Sequence, residues 1–331
     1  MPKILVFGSN SFSGSSFIKF ILEKSYFDTN DIFAISRSDE QISPLNPSKW
    51  PNKEFNFFRF HLVDDINEII AKVNQIKPNF IVNFAAQSMV AQSWDSPEDW
   101  FETNCVATVK LHNHLRNSDY LERYIHISTP EVYGNCNGSV NEDCKFDPTT
   151  PYAVSRAASD MSLKTFFEAY QFPVITTRAA NVFGPGQSLY RIIPKTILSI
   201  MKNEKLKLHG GGVSKRSFIH IDDVSSATYL LMKKGKEGET YHISTEELIS
   251  IKSLVEKICS FMNVDFDKHV DIDKERLGKD MVYDLDSSKI KKALSWYPKI
   301  SLDDGIKQTI SWIEENFDIL KDESDVYQHK R

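Results

Sequence analysis

Two strings carry residue types suited to oxidising an alcohol: STPEVYG at 128–134 and PYAVSRAASD at 151–160. Thr129 stands at the end of an apolar run that reads as a strand. Tyr152 precedes the cation Arg156 by four residues, one helical turn, so both side chains face the same way. A tyrosine phenolate removes a hydroxyl proton while a nicotinamide accepts the hydride. A cation one turn away lowers the phenol pKa and holds the nicotinamide ribose. Alone, a tyrosine and an arginine at this spacing also suit a packed ring beside an exposed surface cation.

A cofactor requires a phosphate-binding turn, and FGSNSFSGS at 7–15 offers one. Gly8 permits the tight turn, and Gly14 allows the helix to pack closely. The helix N-terminus between them attracts a pyrophosphate. Asn10, Ser11 and Phe12 fill the rest of the loop, with Ser11 at the usual middle glycine and its hydroxyl expected toward the pyrophosphate. At the end of the second apolar run, Ser36 stands where NAD sites carry an acid, and Arg37 suits a 2′-phosphate. NADP is therefore favoured over NAD.

Short β-rich runs at 3–7, 31–36, 79–84, 124–128 and 173–177 alternate with helical periodicity at 64–77, 99–117 and 153–170. This alternation predicts an α/β fold: a Rossmann-type, doubly wound parallel sheet with ligands beyond the carboxyl ends of the strands. After about residue 178 the rhythm changes to Pro- and Gly-containing loops followed by late amphipathic helices. We expect a cofactor domain over 1–180, with a returning segment near 218–245. A smaller, mostly helical substrate lobe then takes 181–217 and 246–331.

The 331 residues carry a net charge of -5, with 41% hydrophobic and 26% charged residues, which suits neither nucleic acid nor an anionic membrane. No apolar run approaches the roughly 20 residues of a membrane span. Four cysteines without CxxC spacing suit reduced thiols in the cytoplasm, and nine scattered histidines suggest no metal site.

Taken with NFAAQSMVAQSW (83–94), NVFGPG (181–186), RSFIHIDDV (216–224) and RLGKD (276–280), these strings resemble the extended short-chain dehydrogenase/reductases. The likeness runs over nearly the whole chain and is greatest to nucleotide-sugar 4,6-dehydratases of the dTDP-glucose and GDP-mannose type. That resemblance implies hydrogen bonding of the sugar O4 by Thr129, oxidation at C4 with Tyr152 as base, and removal of the C5 proton by Glu131. Water then leaves from C6 and the hydride returns there, giving a 4-keto-6-deoxy sugar nucleotide. It further implies that Asp64 meets the adenine amino group and that Ala85, Ala86 and Asn104 line the cofactor. Gln87, Ser88, Asn181, Arg191, Arg216 and Arg276 would hold the nucleotide sugar, and Leu208 would pack on its base. A homodimer is implied through a four-helix bundle built from helices 99–117 and 153–170.

Three departures from that pattern stand out: Ser11 for glycine, Pro130 for the aspartate that protonates the leaving hydroxyl, and Arg156 for lysine. Two other readings share the scaffold: a nucleotide-sugar epimerase or decarboxylase, and a catalytically weak NAD(P)-binding protein. Glu131 counts against a C4 epimerase, and Gly186-Gln187 against a uronate decarboxylase, which would bring an arginine there.

Overall fold

The computed structural model describes residues 2–135, 138–273 and 282–329. Seven parallel strands form the central sheet, in the order Thr240–Ile243, Val174–Ala179, Arg123–Ile127, Phe80–Asn83, Ile4–Phe7, Ile32–Ser36, Asn56–Arg59. The chain winds outward from Ile4–Phe7 in one direction, then crosses back to Phe80–Asn83 on its other side. A crevice must open where the order reverses, because the connections leave those two strand ends on opposite faces of the sheet.

Alternate residues of the strands serve opposite faces. Ile4, Val6, Val82 and Ile125 pack with Phe17, Ile18 and Ile21 of the helix Phe12–Glu23. Leu5, Phe7 and Ile81 face the other way, against Ile69, Val73, Leu111 and Leu163. Both faces are covered, which explains why the strands read as unbroken apolar runs.

Seven of the eight expected elements lie where the periodicity puts them, within a few residues. The long helix expected at 99–117 is instead Pro97–Phe101, a π-helical stretch Glu102–Ala107, and Thr108–Leu115. A π turn adds one residue to the helical cycle. The Thr108 hydroxyl donates to the Asn104 carbonyl at 2.7 Å and the Cys105 carbonyl at 2.9 Å, competing with the regular ladder. The edge strand Asn56–Arg59 was not expected; its short, half-buried pattern lacks strict alternation.

Beyond the sheet, Phe183, Ile193, Ile197, Leu254, Ile258, Ile306 and Ile313 form a separate core. This region is less purely helical than expected. Lys215–His220 pairs with Asn181–Phe183, Leu248–Ser250 and Val282–Leu285, and Leu206–His209 pairs with Val270–Asp273. All of these but Lys215–His220 are three- or four-residue strands, which leave almost no periodicity in a sequence. Among the described residues, no helix is long and apolar enough to cross a membrane.

Gly14 makes the helix-to-turn contact possible: a Cβ there would lie 2.3 Å from the Gly8 carbonyl oxygen. Gly14→Val should therefore lower stability by about 3 kcal/mol, since backbone cannot yield as a side chain does. Urea denaturation measures this directly, and an unchanged midpoint would refute the packing role.

Candidate active site

The crevice at the sheet reversal is framed by two turns that touch. Gly8 has φ +70°, and a Cβ on it would lie 2.6 Å from the Ala85 nitrogen. The Asn83 side chain closes the second turn, accepting from the Ala85 N–H at 3.0 Å and donating to the Tyr124 hydroxyl at 2.9 Å. Tyr124 is held in turn by His112 at 3.0 Å. The two turns thus meet backbone to backbone at the reversal point of the sheet, with the Gly8 N–H donating to the Ile35 carbonyl at 2.8 Å.

Ser11 caps the helix Phe12–Glu23. Its hydroxyl accepts from the Gly14 N–H at 3.1 Å and donates to the Gly8 carbonyl at 2.7 Å. The hydroxyl is therefore turned into its own loop, not toward a pyrophosphate as expected, because the uncapped first turn competes for it. Asn10 reaches across to donate to the carbonyls of Ser38 and Asp39, at 2.8 and 3.0 Å, which fixes the loop carrying Arg37. Phe12 packs on the apolar core beside the helix. Asp64 is largely exposed and lies 3.1 Å from His61 Nδ1.

Asn104 differs from expectation in what it faces. It is fully buried; its side-chain oxygen accepts from the Gln87 N–H at 2.8 Å, while its amide donates to the Gln87 carbonyl and the Ser155 hydroxyl. Its polar atoms brace the 85–88 loop against the helix Pro151–Tyr170 instead of lining the cofactor. The π turn aims it inward, which a regular helical wheel would not suggest.

Thr129 caps a short 3-10 turn, Pro130–Tyr133, accepting from the Glu131 N–H at 3.4 Å. Tyr152 lies at the start of Pro151–Tyr170 and hydrogen-bonds Thr129. Burial raises its phenol pKa to about 12, with the Glu131 carboxylate pushing the same way. Arg156, Thr129 and Arg191 pull it down. Thr129, Glu131, Tyr152 and Arg156 are therefore gathered around one strand end.

Arg156 is only 2% exposed. Its guanidinium donates to the Ile127 carbonyl and lies 3.4 Å from His126 Nε2, while its Nε is buried without a partner. Beneath it, Asp160 is held at 2.8 Å by Arg178, at 3.2 Å by His126 and at 2.6 Å by the Ser128 hydroxyl. Burial opposes ionisation of Asp160, but Arg178 and His126 outweigh it and hold the carboxyl far below its usual range. Burial also depresses His126, and pushes His242, behind Tyr133, down to about 3.

Of the residues expected on the substrate side, Gln87 is buried and Ser88 exposed. Asn181 is exposed and donates to the Ser217 carbonyl at 3.2 Å, on the strand that also carries Arg216. Arg191 is exposed at the start of Ile192–Met201. Leu208 does not offer a free face to a base: it is 3% exposed and belongs to the second core, packed near Gly212. In Leu206–His209 the side chains alternate, and Leu208 falls on the inward set. Arg276 lies outside the described residues. Among the described residues, no cluster of three or more His, Cys, Asp or Glu could hold a metal ion. Sequence reasoning missed Asp160, His126 and Arg178, although the periodicity of 151–160 placed Asp160 one turn beyond Arg156.

The sequence model described as GDP-mannose 4,6-dehydratase matches residues 5–309, and the chain belongs to that family. A human dTDP-D-glucose 4,6-dehydratase is 31% identical over 323 residues, covering 95% of this chain and 91% of the human protein. An Arabidopsis thaliana trifunctional UDP-glucose 4,6-dehydratase/3,5-epimerase/reductase is also 31% identical over 323 residues; 95% of this chain spans 47% of that longer protein. DesIV, a dTDP-glucose 4,6-dehydratase of Streptomyces venezuelae solved with NAD and TYD bound, superposes with a TM-score of 0.87. Its identity is 28%, over 95% of this chain and 97% of that one.

Asp160→Asn would leave two buried arginines without their shared anion. Stability should fall by about 3–5 kcal/mol, read from urea denaturation. The folded carboxyl titrates below its unfolded value, so its contribution is complete above the ordinary aspartate pKa and is lost as pH falls through the folded one. The difference between parent and variant should accordingly shrink below about pH 4, and a pH-independent difference would contradict the assignment.

Proposed function

We propose that this member of the GDP-mannose 4,6-dehydratase family is a nucleotide-sugar 4,6-dehydratase. It would convert a hexose nucleotide into its 4-keto-6-deoxy form using a nicotinamide dinucleotide. The observation that carries this is the gathering of Thr129, Glu131 and Tyr152 at one strand end under the charge of Arg156. The crevice suits the cofactor on its own chemistry. Gly8 and Ala85 bring no bulky side chain to it, and the buried Arg156 Nε and Ser9 Oγ are donors without protein partners.

Thr129 orients the C4 hydroxyl, and Tyr152 takes its proton. A nicotinamide dinucleotide held beside Gly8 and the 85–88 loop would supply hydride acceptance at C4 and return at C6, and its positive charge would favour the Tyr152 phenolate. Arg156 supplies the permanent part of that charge and holds the strand end in place through Ile127. The new C4 ketone acidifies C5–H, and Glu131 removes that proton. Pro130 has no proton to give, so the one Glu131 has taken leaves with the C6 hydroxyl as water. A solvent proton then reaches C5 as hydride reaches C6, leaving one water lost and no net redox change.

Gln87, Ser88, Asn181, Arg191, Arg216 and Arg276 are proposed for the nucleotide sugar, with guanidinium forks on its diphosphate. The sheet with its returning strand Thr240–Ile243 serves the cofactor, and the second core serves the substrate. Arg37 is half-buried beside Tyr327 and Asp99, and DesIV was solved with NAD, so we propose no built preference for NADP. A homodimer is proposed through Thr108–Leu115 and Pro151–Tyr170, supported by exposed Val106, Val154 and Met161 along that face.

Incubation with GDP-, UDP-, dTDP- and CDP-hexoses should yield a product about 18 mass units lighter, from the water lost in the elimination. An isomeric product or loss of carbon dioxide would replace dehydration with epimerisation or decarboxylation. Glu131→Gln should abolish deuterium uptake at C5 while cofactor affinity stays intact, and persistent uptake would remove Glu131 from its role. In sedimentation experiments Met161→Lys should convert dimer to monomer, whereas an unchanged dimer would place the interface elsewhere.

A further inference from the structure

The segment following helix Phe317–Leu320 returns to contact both the start of Ile192–Met201 and the helix Pro97–Phe101. It bends at Val326, where Ser324 Oγ accepts from the Val326 N–H at 3.3 Å; Asp325 and Tyr327 are half-buried, while Val326 is 63% exposed. Asp325, Tyr327 and His329 each have an anchor. Lys195 bonds the Asp325 carboxylate at 3.3 Å and its carbonyl at 3.1 Å. The Tyr327 ring meets Tyr190 edge-on, with centroids 5.4 Å apart. His329 stacks on Trp100 at 4.7 Å and lies 2.9 Å from the Asp99 carboxylate.

These anchors belong to two separate elements. Lys195 and Tyr190 lie beside Arg191 at the start of Ile192–Met201, which packs into the second core. Asp99 and Trp100 lie on Pro97–Phe101, which leads into the turn bearing Asn104. The Arg191 guanidinium lies 5.4 Å from the centre of the Tyr190 ring that Tyr327 meets edge-on; burial and Tyr190 raise the Tyr327 phenol pKa, while Arg37 and Arg191 draw it back down. Arg37 sits on the cofactor loop, and Arg191 acts on Tyr152 at the reacting end. A phenol donor near two arginines, on a segment tied to both the cofactor-side helix and the second core, matches the chemistry of a diphosphate.

We propose that Asp325–His329 completes the ligand site, and that the Tyr327 hydroxyl donates a hydrogen bond to a phosphate oxygen of the bound nucleotide. This rests on the dinucleotide and nucleotide-sugar reading above. The diphosphate has two possible sources, the cofactor and the sugar nucleotide, and separate titrations distinguish them.

Calorimetric titration of the full chain and of Tyr327→Phe with NAD, UDP, dTDP and adenosine provides the test. Loss of one hydrogen bond to a charged group should weaken the phosphate-bearing ligand about ten-fold while adenosine affinity stays the same. Weakening confined to NAD assigns the cofactor diphosphate; weakening confined to UDP or dTDP assigns that of the sugar nucleotide. His329→Ala, which removes the anchor on Trp100 and Asp99, should speed dissociation of the same ligand, whereas Val326→Ala, at a side chain exposed to solvent, should leave that rate as in the parent. Equal weakening of adenosine and diphosphates, or less than two-fold change in ligands that the parent chain binds, overturns the role of Tyr327. If the parent chain binds neither NAD nor any nucleoside diphosphate, the proposed function fails first and this inference falls with it.

Discussion

The site depends on one buried carboxylate. Asp160 binds Arg178 from the neighbouring strand, His126 from the strand before it, and the Ser128 hydroxyl one residue ahead of Thr129. Arg156, one turn earlier on the same helix, binds the Ile127 carbonyl. Two consecutive turns of one helix therefore grip three consecutive residues of a strand end. Tyr152 and Thr129 keep their separation because the backbones beneath them cannot slide. A buried ion cluster adds little net stability over a well-packed apolar one. What it supplies is a single allowed register between the element carrying the base and the element carrying the hydroxyl partner.

Asn104 plays the same part for the cofactor turn. Its amide satisfies the Gln87 backbone at both its N–H and its carbonyl, then reaches Ser155 on the Tyr152 helix. The 85–88 loop has no regular ladder of its own, so without such a brace its buried polar groups would lack partners. Loop, helix and strand end are thereby referred to a common frame, and the rigidity needed for proton transfer comes from side chains one layer below the reacting groups.

The strands and most helices were legible because each buries a stripe or both faces, and burial leaves a period in the sequence. Gly8, Gly14, Thr129 and Tyr152 were legible because their types answer a steric or chemical demand at a fixed spacing. The π turn was hidden, since Thr108 acts on the backbone and leaves the apolar pattern of 99–117 intact. The direction of a side chain was hidden too. Ser11 and Asn104 have the right types for ligand contact, yet each turns to backbone groups that the local structure leaves without a regular partner. The return of residues 325–329 could not be read at all, because its three anchors lie some 130 to 230 positions away and follow from tertiary packing alone.

Pro130 and Arg156 each depart from the family pattern, and the geometry gives each a compensating role. Proline at the first position of Pro130–Tyr133 gives up an N–H that would have no partner there. It also holds Thr129 extended, at φ -146° and ψ 147°. Glu131 is consequently presented from a turn with few conformers, which favours one carboxylate carrying the proton both from C5 and to the leaving hydroxyl. A lysine at 156 would end in a compact ammonium; the planar guanidinium of Arg156 bonds Ile127, meets His126 and still turns Nε to the interior. It anchors the strand end and charges the Tyr152 pocket together. Both substitutions exchange a proton-active group for a fixed one, which in the proposed reaction leaves Tyr152 and Glu131 as the side chains that exchange protons with the substrate.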